Sequence, residues 1–260
     1  MLSQNNIVRL RAGAEPADTL AGIIIFRELA PAELASLSSR CKWRRYGVGQ
    51  TILQRRDEGR EVFFIVRGRV SAIYHSASGR EVRLCELPAG ELFGEFAAID
   101  GEPRSADIVS LADTLIASMS AELFWEVLRR YEPACAAILR RLTRAVRASQ
   151  QRVVEFSTLP VRSRLHVELL RLARLGRPGP DGNTTVITPA PTHAEIASRI
   201  STHREAVTRE LSELARAKLI ERGGSSLIIR DTTALANMVE ETLGEPCGEI
   251  IIGQRAADGA

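Results

Sequence analysis

Long apolar runs are absent from this 260-residue sequence. Ile23, Ile24 and Ile25 form only a short run, whereas a helix that crosses a membrane needs about 20 mostly apolar residues. No signal-peptide pattern with a small-residue cleavage site precedes these isoleucines. We therefore expect a cytoplasmic protein that does not bind a membrane.

Closely spaced cysteines are missing as well. The sequence has four cysteines, at positions 41, 85, 135 and 247, and none of them forms a C-x-x-C pair. We therefore expect no zinc or iron–sulfur site and no other bound metal. The four histidines, at positions 75, 166, 193 and 203, show no arrangement with Ser, Asp or Cys that is typical of catalysis. We expect that the protein is not an enzyme and has no catalytic residues.

The charge is distributed unevenly although the net charge is only +3. Residues 1–128 carry a net charge of −2, residues 129–230 carry +10, and residues 231–260 carry −5. A polyanion such as DNA should therefore meet the middle-to-late part of the chain. A basic helix can also be only a solvated face, so charge alone is a weak argument.

Short β-prone runs separated by glycines extend from Trp43 to about Met119. A loose tail, residues 1–20, and a short helix that begins at Pro31 precede them in the sequence. The glycines recur at roughly ten-residue spacing, which is typical of an all-β barrel or roll. Ser78 and Gly79 indicate a hairpin turn. The β-prone runs are Val62–Val66, Val70–Tyr74, Val82–Leu87 and Asp107–Ile116.

Residues 93–106 (FGEFAAIDGEPRSA) interrupt this roll and are suited to a phosphate joined to a ribose. Gly94 lets a backbone N–H approach a ligand closely. The Glu95 carboxylate can accept hydrogen bonds from two sugar hydroxyls, and the Arg104 fork, followed by Ser105, matches the oxygens of a phosphate. The alternative interpretation is that Glu95 and Arg104 form a surface ion pair.

The sequence after Ala121 is helical to about Phe156, with a break near Pro133. It carries a heptad seam, which predicts a long helix that pairs with its copy in a dimer. The alternative is that this helix packs on the roll of its own chain. The seam consists of Cys135, Leu139, Leu142, Val146, Ser149, Val153 and Phe156.

A helix-turn-helix pattern occupies residues 192–214 (THAEIASRISTHREAVTRELSEL). Two T-x-x-E capping boxes mark helix starts, Thr192 with Glu195 and Thr202 with Glu205, on either side of a tight turn at Ser201. The apolar residues that pack the two helices together are Ile196, Ile200, Val207, Leu211 and Leu214.

The second helix of this motif presents Arg204, Glu205, Thr208 and Arg209 on the face opposite its apolar residues. Arginine can read guanine and glutamate can accept from cytosine, so this face is typical of base recognition. Glu205 could instead serve only the capping box, and Arg209 could pair with Glu205 along the helix. The next segment, residues 219–229, indicates a hairpin wing that contacts phosphates.

The segment at 93–106 resembles the phosphate-binding cassette of cyclic-nucleotide-binding domains. Together with the Arg204/Glu205/Arg209 pattern it makes the chain similar to the CRP/FNR family, and to its cAMP receptor protein subfamily in particular. The resemblance implies an α+β protein: a jelly-roll cyclic-nucleotide-binding domain (a double-stranded β-helix), a long dimerisation helix and a winged helix-turn-helix. We set the boundaries at 21–132, 133–157 and 158–231, followed by an acidic C-terminal extension at 232–260.

The resemblance also implies site residues and partners. A hydroxyl on the long helix, which maps onto Ser149, reaches the adenine of cAMP, and Gln150 stands where the family often has a second hydroxyl. The ligand set is therefore Gly94, Glu95, Arg104, Ser105, Ser149 and Gln150. The implied partners are a second copy of the chain, RNA polymerase and palindromic double-stranded DNA with TGTGA-like half-sites. The DNA set is Thr192, Thr202, His203, Arg204, Glu205, Thr208 and Arg209.

Two other functions remain open from the sequence. The chain could be a regulator of the same family that answers to a different signal or to none. It could also be a cyclic-nucleotide-controlled module that binds a protein partner rather than DNA, although the arginines of the second helix argue against this.

Overall fold

The computed structural model describes residues 19–76 and 81–243. The chain divides into two compact units, Met1–Arg141 and Leu142–Ala260, each with its own hydrophobic core. Within the two described ranges, every helix is too short or too polar to cross a lipid bilayer. The hairpin turn predicted at Ser78 and Gly79 and most of the tail predicted over residues 1–20 lie outside the described residues. At the end of that tail the prediction is wrong, because Leu20 is buried in a short 3₁₀ helix, Leu20–Gly22.

Two antiparallel four-stranded sheets build the first unit, with strand orders β1-β8-β3-β6 and β2-β7-β4-β5. Branched and aromatic residues fill the strands that face the core, as in VFFIVR of β3, because such side chains pack well on a pleated surface. The strands are β1 (Lys42–Tyr46), β2 (Thr51–Leu53), β3 (Val62–Arg67), β4 (Arg69–His75), β5 (Glu81–Pro88), β6 (Leu92–Phe93), β7 (Asp107–Ser110) and β8 (Thr114–Met119).

The core of this unit lies between the two sheets. Ile65, Phe93 and Ile116 of the first sheet share one buried cluster with Val70 and Ile108 of the second. The predicted β-roll is therefore confirmed. The run Asp107–Ile116, which we predicted as one strand, is instead divided between β7 and β8, because residues 111–113 bend the chain from the second sheet to the first.

Among the described residues of the first unit, two short 3₁₀ helices, Leu20–Gly22 and Ile24–Phe26, precede four α-helices: α1 (Pro31–Arg40), α2 (Glu95–Asp100), α3 (Ala121–Arg130) and α4 (Glu132–Thr158). Pro31 opens α1 as predicted, since its missing N–H costs nothing at a first helical position. The Ser120 side chain caps α3 by accepting from the backbone N–H of Leu123. The expected break near Pro133 lies at Tyr131, between α3 and α4.

The long helix α4 has 27 residues and contributes to both units. Several of its apolar seam residues are exposed in the single chain: Leu139 is 59% exposed, Val146 57% and Val153 64%. A stripe of this kind is costly to leave in water. The pairing of this stripe with a second copy stays a prediction.

The second unit consists of helices around a small sheet of order β11-β12-β10-β9. Its core joins Leu165 and Leu169 to residues of the helix-turn-helix such as Ile196 and Val207. Its elements are α5 (Val161–Leu175), β9 (Arg177–Pro178), β10 (Thr185–Ile187), α6 (His193–Arg199), α7 (Arg204–Arg216), β11 (Ile220–Gly223), β12 (Ser226–Ile229) and α8 (Thr232–Leu243).

The last described helix, α8, packs against α5. Leu235 and Val239 of α8 are fully buried in the core of the second unit. The Asn183 carbonyl and side chain anchor the start of α8 by accepting hydrogen bonds from Thr232 and Thr233. The short helix predicted near Ala234–Leu243 is therefore present, and residues 244–260 lie outside the described part of the chain.

Candidate nucleotide pocket and DNA-binding surface

The predicted phosphate cassette forms a loop, a short helix and a second loop between β6 and β7. Gly94 precedes α2 with a φ of +82°, and Gly101 follows it with a φ of +78°. Such left-handed backbone favours glycine. A methyl group at Gly94 would lie 2.7 Å from Nη1 of Arg104 and 2.9 Å from the Glu61 carbonyl oxygen. Gly94 therefore allows the Arg104 side chain to lie directly against the backbone.

Arg104 lies inside this loop and is only 4% exposed. Its Nη1 donates to the Gly94 carbonyl and its Nη2 to the Glu61 carbonyl, both at 2.8 Å. Its guanidinium also lies over the Phe63 ring, with the Glu61 carboxylate 3.5 Å from Nη2. Burial lowers the pKa of Arg104, although the carboxylates of Glu61, Asp57 and Glu95 oppose this. The structure thus holds a buried cation whose nearest carboxylate, that of Glu61, is itself half exposed.

Glu95 is equally buried, at 4% exposure, but it does not pair with Arg104. Its carboxylate contacts Nη1 of Arg141, an α4 residue that also bonds the Glu91 carboxylate at 2.8 Å and the Leu92 carbonyl. Burial opposes the charge of Arg141, but Glu95 and Glu91 outweigh it and raise its pKa. Nothing in the spacing of the sequence marks Arg141 as a partner of Glu95, from which it is 46 residues away.

The ligand residues predicted from the sequence fall into two groups. Gly94, Glu95, Arg104 and an exposed Ser105 belong to one continuous segment of the first unit. Ser149 and Gln150 are exposed residues of α4 in the second unit. The contact of Ser149 and Gln150 with a base stays a prediction.

The cassette contains a buried donor of the kind that a phosphate oxygen would satisfy. The Nε of Arg104 is buried and has no hydrogen-bond partner among the described residues. A buried donor without a partner costs free energy, and a phosphate oxygen is a strong acceptor that a guanidinium fork matches. The Ser105 hydroxyl is exposed beside it and could add one more hydrogen bond.

The helix-turn-helix begins with the capping box that the sequence predicts. Thr192 Oγ1 accepts from the backbone N–H of Glu195 at 3.2 Å, and the Glu195 carboxylate accepts from the Thr192 N–H at 2.7 Å. The turn after α6 places Ser201 at a φ of +51°. The Thr202 N–H then bonds the Ala197 carbonyl at 3.0 Å, which closes the turn.

The second predicted capping box is wrong. Helix α7 begins at Arg204 and its N-cap is His203, without a side-chain cap. Thr202 therefore lies outside the helix, and Glu205 is one position too early to complete a box. No ion pair joins Glu205 to Arg209 among the residues that the structure describes. Among the described residues, Glu205 therefore neither completes a capping box nor pairs with Arg209.

The exposed face of α7 carries the predicted DNA-reading residues. Arg204, Glu205 and Arg209 are exposed, as is His203 before the helix. Thr208 differs, because its hydroxyl donates to the Arg204 carbonyl at 3.0 Å and lies 2.7 Å from Nδ1 of His193. Its hydroxyl is therefore already engaged within the protein.

Positive charge surrounds the start of α6. Burial lowers the pKa of His193, and the guanidinium groups of Arg222 and Arg204 lower it further. Arg222 belongs to β11, whose hairpin with β12 turns at Gly224 with a φ of +59°. The predicted wing is therefore present. Nothing in the spacing of the sequence marks His193 or Arg222 as neighbours of α7, because only the fold brings them beside it.

Two protein-family models match the chain in the order that these sites follow. The cyclic nucleotide-binding domain matches residues 43–131, and the Crp-like helix-turn-helix domain matches residues 163–238. The chain belongs to the CRP/FNR family of transcriptional regulators. It therefore combines a cyclic nucleotide-binding domain with a DNA-binding helix-turn-helix.

Known members of the CRP/FNR family resemble the chain over most of its length. The cyclic AMP receptor protein of Thermus thermophilus is 29% identical over 83% of this chain and 96% of the relative. A solved CooA mutant from Carboxydothermus hydrogenoformans shares the fold with a TM-score of 0.72 and 19% identity, over 84% of this chain and 95% of that one. The c-di-GMP responsive regulator CLP of Xanthomonas campestris has a TM-score of 0.64 at 18% identity, over 77% and 99%.

A buried histidine, His166, contacts α7 on the side that faces the core of the second unit. His166 of α5 places Nε2 at 3.0 Å from Oε1 of Glu210 in α7, and Nε of Arg162 lies 3.0 Å from the same oxygen. Its Nδ1 is buried without a partner among the described residues. Burial lowers the pKa of His166, and Glu210 offsets this only in part. Because a carboxylate oxygen accepts, Nε2 is the donor in the contact with Glu210.

We expect Gly94→Ala to destabilise the first unit by about 3 kcal/mol, because it adds a clash with Arg104 to backbone strain. The matched control is Gly49→Ala, where φ is +77° but no atom lies within 4 Å of the added methyl. We expect about 1 kcal/mol there. Urea unfolding can be followed by tryptophan fluorescence, because both tryptophans, Trp43 and Trp125, lie in the first unit. Equal losses in the two variants would contradict the packing of Arg104 against Gly94.

We expect the second unit to lose stability as the pH falls below 6.5. His166 has a lower pKa when folded than its ordinary 6.5, so the unfolded chain binds the proton first. The loss of unfolding free energy begins near pH 6.5, where the unfolded chain takes up the proton, and ends once the pH is below the lowered pKa of His166 in the folded protein. Hydrogen exchange of α5 and α7 peptides, corrected for intrinsic rates, measures it. His166→Gln should reduce the loss, leaving the contribution of His193, and an unchanged pH profile in this variant would refute the role of His166.

Proposed function

We propose that the protein is a homodimeric transcriptional regulator whose binding to TGTGA-like DNA palindromes is controlled by a cyclic nucleotide, with cAMP as the effector. The observation that carries this proposal is the buried Arg104, whose Nε lacks a partner beside Gly94 and the exposed Ser105. A cation of this kind favours an anionic ligand with an acceptor oxygen.

In this proposal the cyclic phosphate contacts Arg104 and Ser105, while Glu95 accepts from the ribose 2′-hydroxyl. Arg141 fixes the Glu95 carboxylate, so that this acceptor is oriented before the ligand arrives. The base would lean on α4 near Ser149 and Gln150. The Thermus thermophilus relative is named a cyclic AMP receptor protein, whereas the Xanthomonas campestris regulator is described as c-di-GMP responsive. The cassette has the ribose and phosphate partners for either, and we favour cAMP.

The dimer in this proposal forms along α4. Val146 and Val153 are seven residues apart and more than half exposed, and Leu139 lies seven residues before Val146. A straight stripe at this spacing fits the same stripe of a second copy. Ser149 would lie within the seam, near the effector's base. A bound effector shifts the equilibrium between two arrangements of the paired helices only by its difference in affinity for them.

The DNA contact assigned to α7 follows from its exposed face. Arg204 and Arg209 would each read a guanine through O6 and N7, and Glu205 would accept from cytosine N4. A two-fold dimer places two such helices in successive major grooves, which explains why we expect a palindrome. His203, Thr192 and Thr202 would lie toward the phosphates. RNA polymerase, on DNA that carries the dimer, would be the remaining partner.

We expect cAMP to bind the wild-type protein and the Ser105→Ala variant to bind it about tenfold more weakly, since one hydrogen bond to a charged phosphate is lost. Ser105 is exposed, so its replacement should not disturb folding. The exposed Ser39, on α1, supplies the control Ser39→Ala, which should bind as the wild type does. Isothermal titration, repeated with c-di-GMP, measures this. Equal cAMP affinity in all three proteins would contradict the assignment of Ser105 to the phosphate site. Binding of c-di-GMP but not of cAMP would show that cAMP is the wrong effector.

We expect Arg209→Ala to weaken binding to a TGTGA palindrome by at least tenfold while leaving non-specific DNA binding nearly unchanged, because a bidentate guanine contact contributes about 1–3 kcal/mol. The control is Arg216→Ala, at the far end of α7. Thr208→Val should matter little, since the Thr208 hydroxyl is already bonded within the protein. Fluorescence anisotropy with specific and scrambled duplexes measures all three. Equal losses on both duplexes would remove Arg209 from base reading.

A further inference from the structure

Two carboxylates are buried where α4, α5 and α6 meet in the second unit. Glu155 of α4 is 4% exposed and Glu168 of α5 is 6% exposed. Arg171, one turn after Glu168 on α5, contacts the Glu155 carboxylate and lies 3.9 Å from that of Glu168. A buried carboxylate is costly unless it is paired, and the contacts of Arg171 therefore connect α5 to α4.

The same contacts continue to the end of α6. Nη1 of Arg199 lies 3.1 Å from Oε1 of Glu168, and Arg199 is the last residue of α6. The Arg199 carbonyl accepts from Nη2 of Arg152, on α4, at 2.7 Å. Because Arg152 and Glu155 are neighbours on one face of α4, the contacts close into a ring. We call this the polar ring: Arg152, Glu155, Glu168, Arg171 and Arg199.

The polar ring fixes an orientation more sharply than apolar packing would. Hydrophobic contacts are non-directional, so a helix can slide or rotate while its apolar area stays covered. A guanidinium–carboxylate contact needs defined geometry, and a buried charge that loses its partner is costly. A rotation of α4 would therefore either break the ring or move α5 and the end of α6 with it.

The last residue of the polar ring in the sequence, Arg199, is followed closely by α7. Arg199 is followed by the turn at Ser201, and α7 begins at Arg204. At its other end α4 contacts the nucleotide cassette through Arg141 and Glu95. One helix thus carries both sets of charged contacts.

We propose that the polar ring transmits a change in α4 to the recognition helix, so that its five residues are positioning residues for DNA reading. This inference rests on the proposed function, because it needs DNA binding at α7. By linkage, the coupling also works in reverse: DNA bound at α7 restrains α4.

The test compares the wild type with two variants that open the ring at different places. Glu168→Gln keeps the size of the side chain but removes the charge that holds Arg171 and Arg199. Arg152→Met, at a partly exposed position, removes the contact with the α6 carbonyl together with the cation–π contact with Phe156, and it carries less risk to folding. The matched control is Glu221→Gln, which removes the exposed Glu221–Arg230 ion pair of the wing.

Hydrogen exchange of α4 peptides between Val146 and Phe156, with and without a TGTGA-palindrome duplex, supplies a readout that needs no effector. We expect the duplex to slow exchange in the wild type and in Glu221→Gln. In the two ring variants, at saturating duplex, this slowing should be lost. Anisotropy should also show that the increase in DNA affinity caused by cAMP falls by about tenfold in both ring variants.

The outcomes separate the two proposals. If folded, DNA-bound ring variants slow exchange in α4 as the wild type does, or if DNA leaves α4 unchanged in the wild type, the polar ring is only structural and the inference is wrong. If cAMP has no effect on the wild type but the duplex slows exchange in a ring-dependent way, the effector assignment fails while the ring is upheld. If no duplex binds, both proposals fall.

Discussion

Buried arginine–carboxylate contacts on α4 are the constraint on which the arrangement of both sites depends. Arg141 holds Glu95 in the cassette, and Arg152 and Glu155 of the same helix take part in the polar ring beside the helix-turn-helix. Each contact places charge in a poorly solvated position, where it is tolerated only while its partner stays in place. Within each unit, these charges therefore define the position of that unit's part of α4 more strictly than apolar contacts would.

The buried charges of the cassette are partnered within the protein. Arg104 and Glu95 are both buried, yet each has another partner: two backbone carbonyls for Arg104, and Arg141 for Glu95. The pairs leave donor capacity on Arg104, because a guanidinium has five N–H groups and its Nε is unused among the described residues. Contacts among its own residues therefore hold the cassette in shape.

Much of the fold could be predicted from the sequence where the signal was local. Regular glycine spacing indicated the β-roll, and the Thr192–Glu195 pair marked the start of α6. The helical spacing of apolar residues identified the two helices of the helix-turn-helix. The prediction failed where two local signals competed. Thr202 and Glu205 satisfy the capping pattern, but the closing hydrogen bond from Thr202 to Ala197 places Thr202 in the turn, and α7 starts at Arg204.

The sequence by itself determined which chemistry is present: a glycine, a carboxylate and an arginine in one cassette, and an exposed arginine-rich face on a helix. Both follow from residues close together in the chain, where spacing alone defines geometry. Only the tertiary structure decided which groups those residues meet. Arg141 is 46 residues from Glu95, and Glu168 is 31 residues from Arg199. Such pairs depend on how helices pack, and side chains with the same charge and periodicity can find many partners until packing selects one.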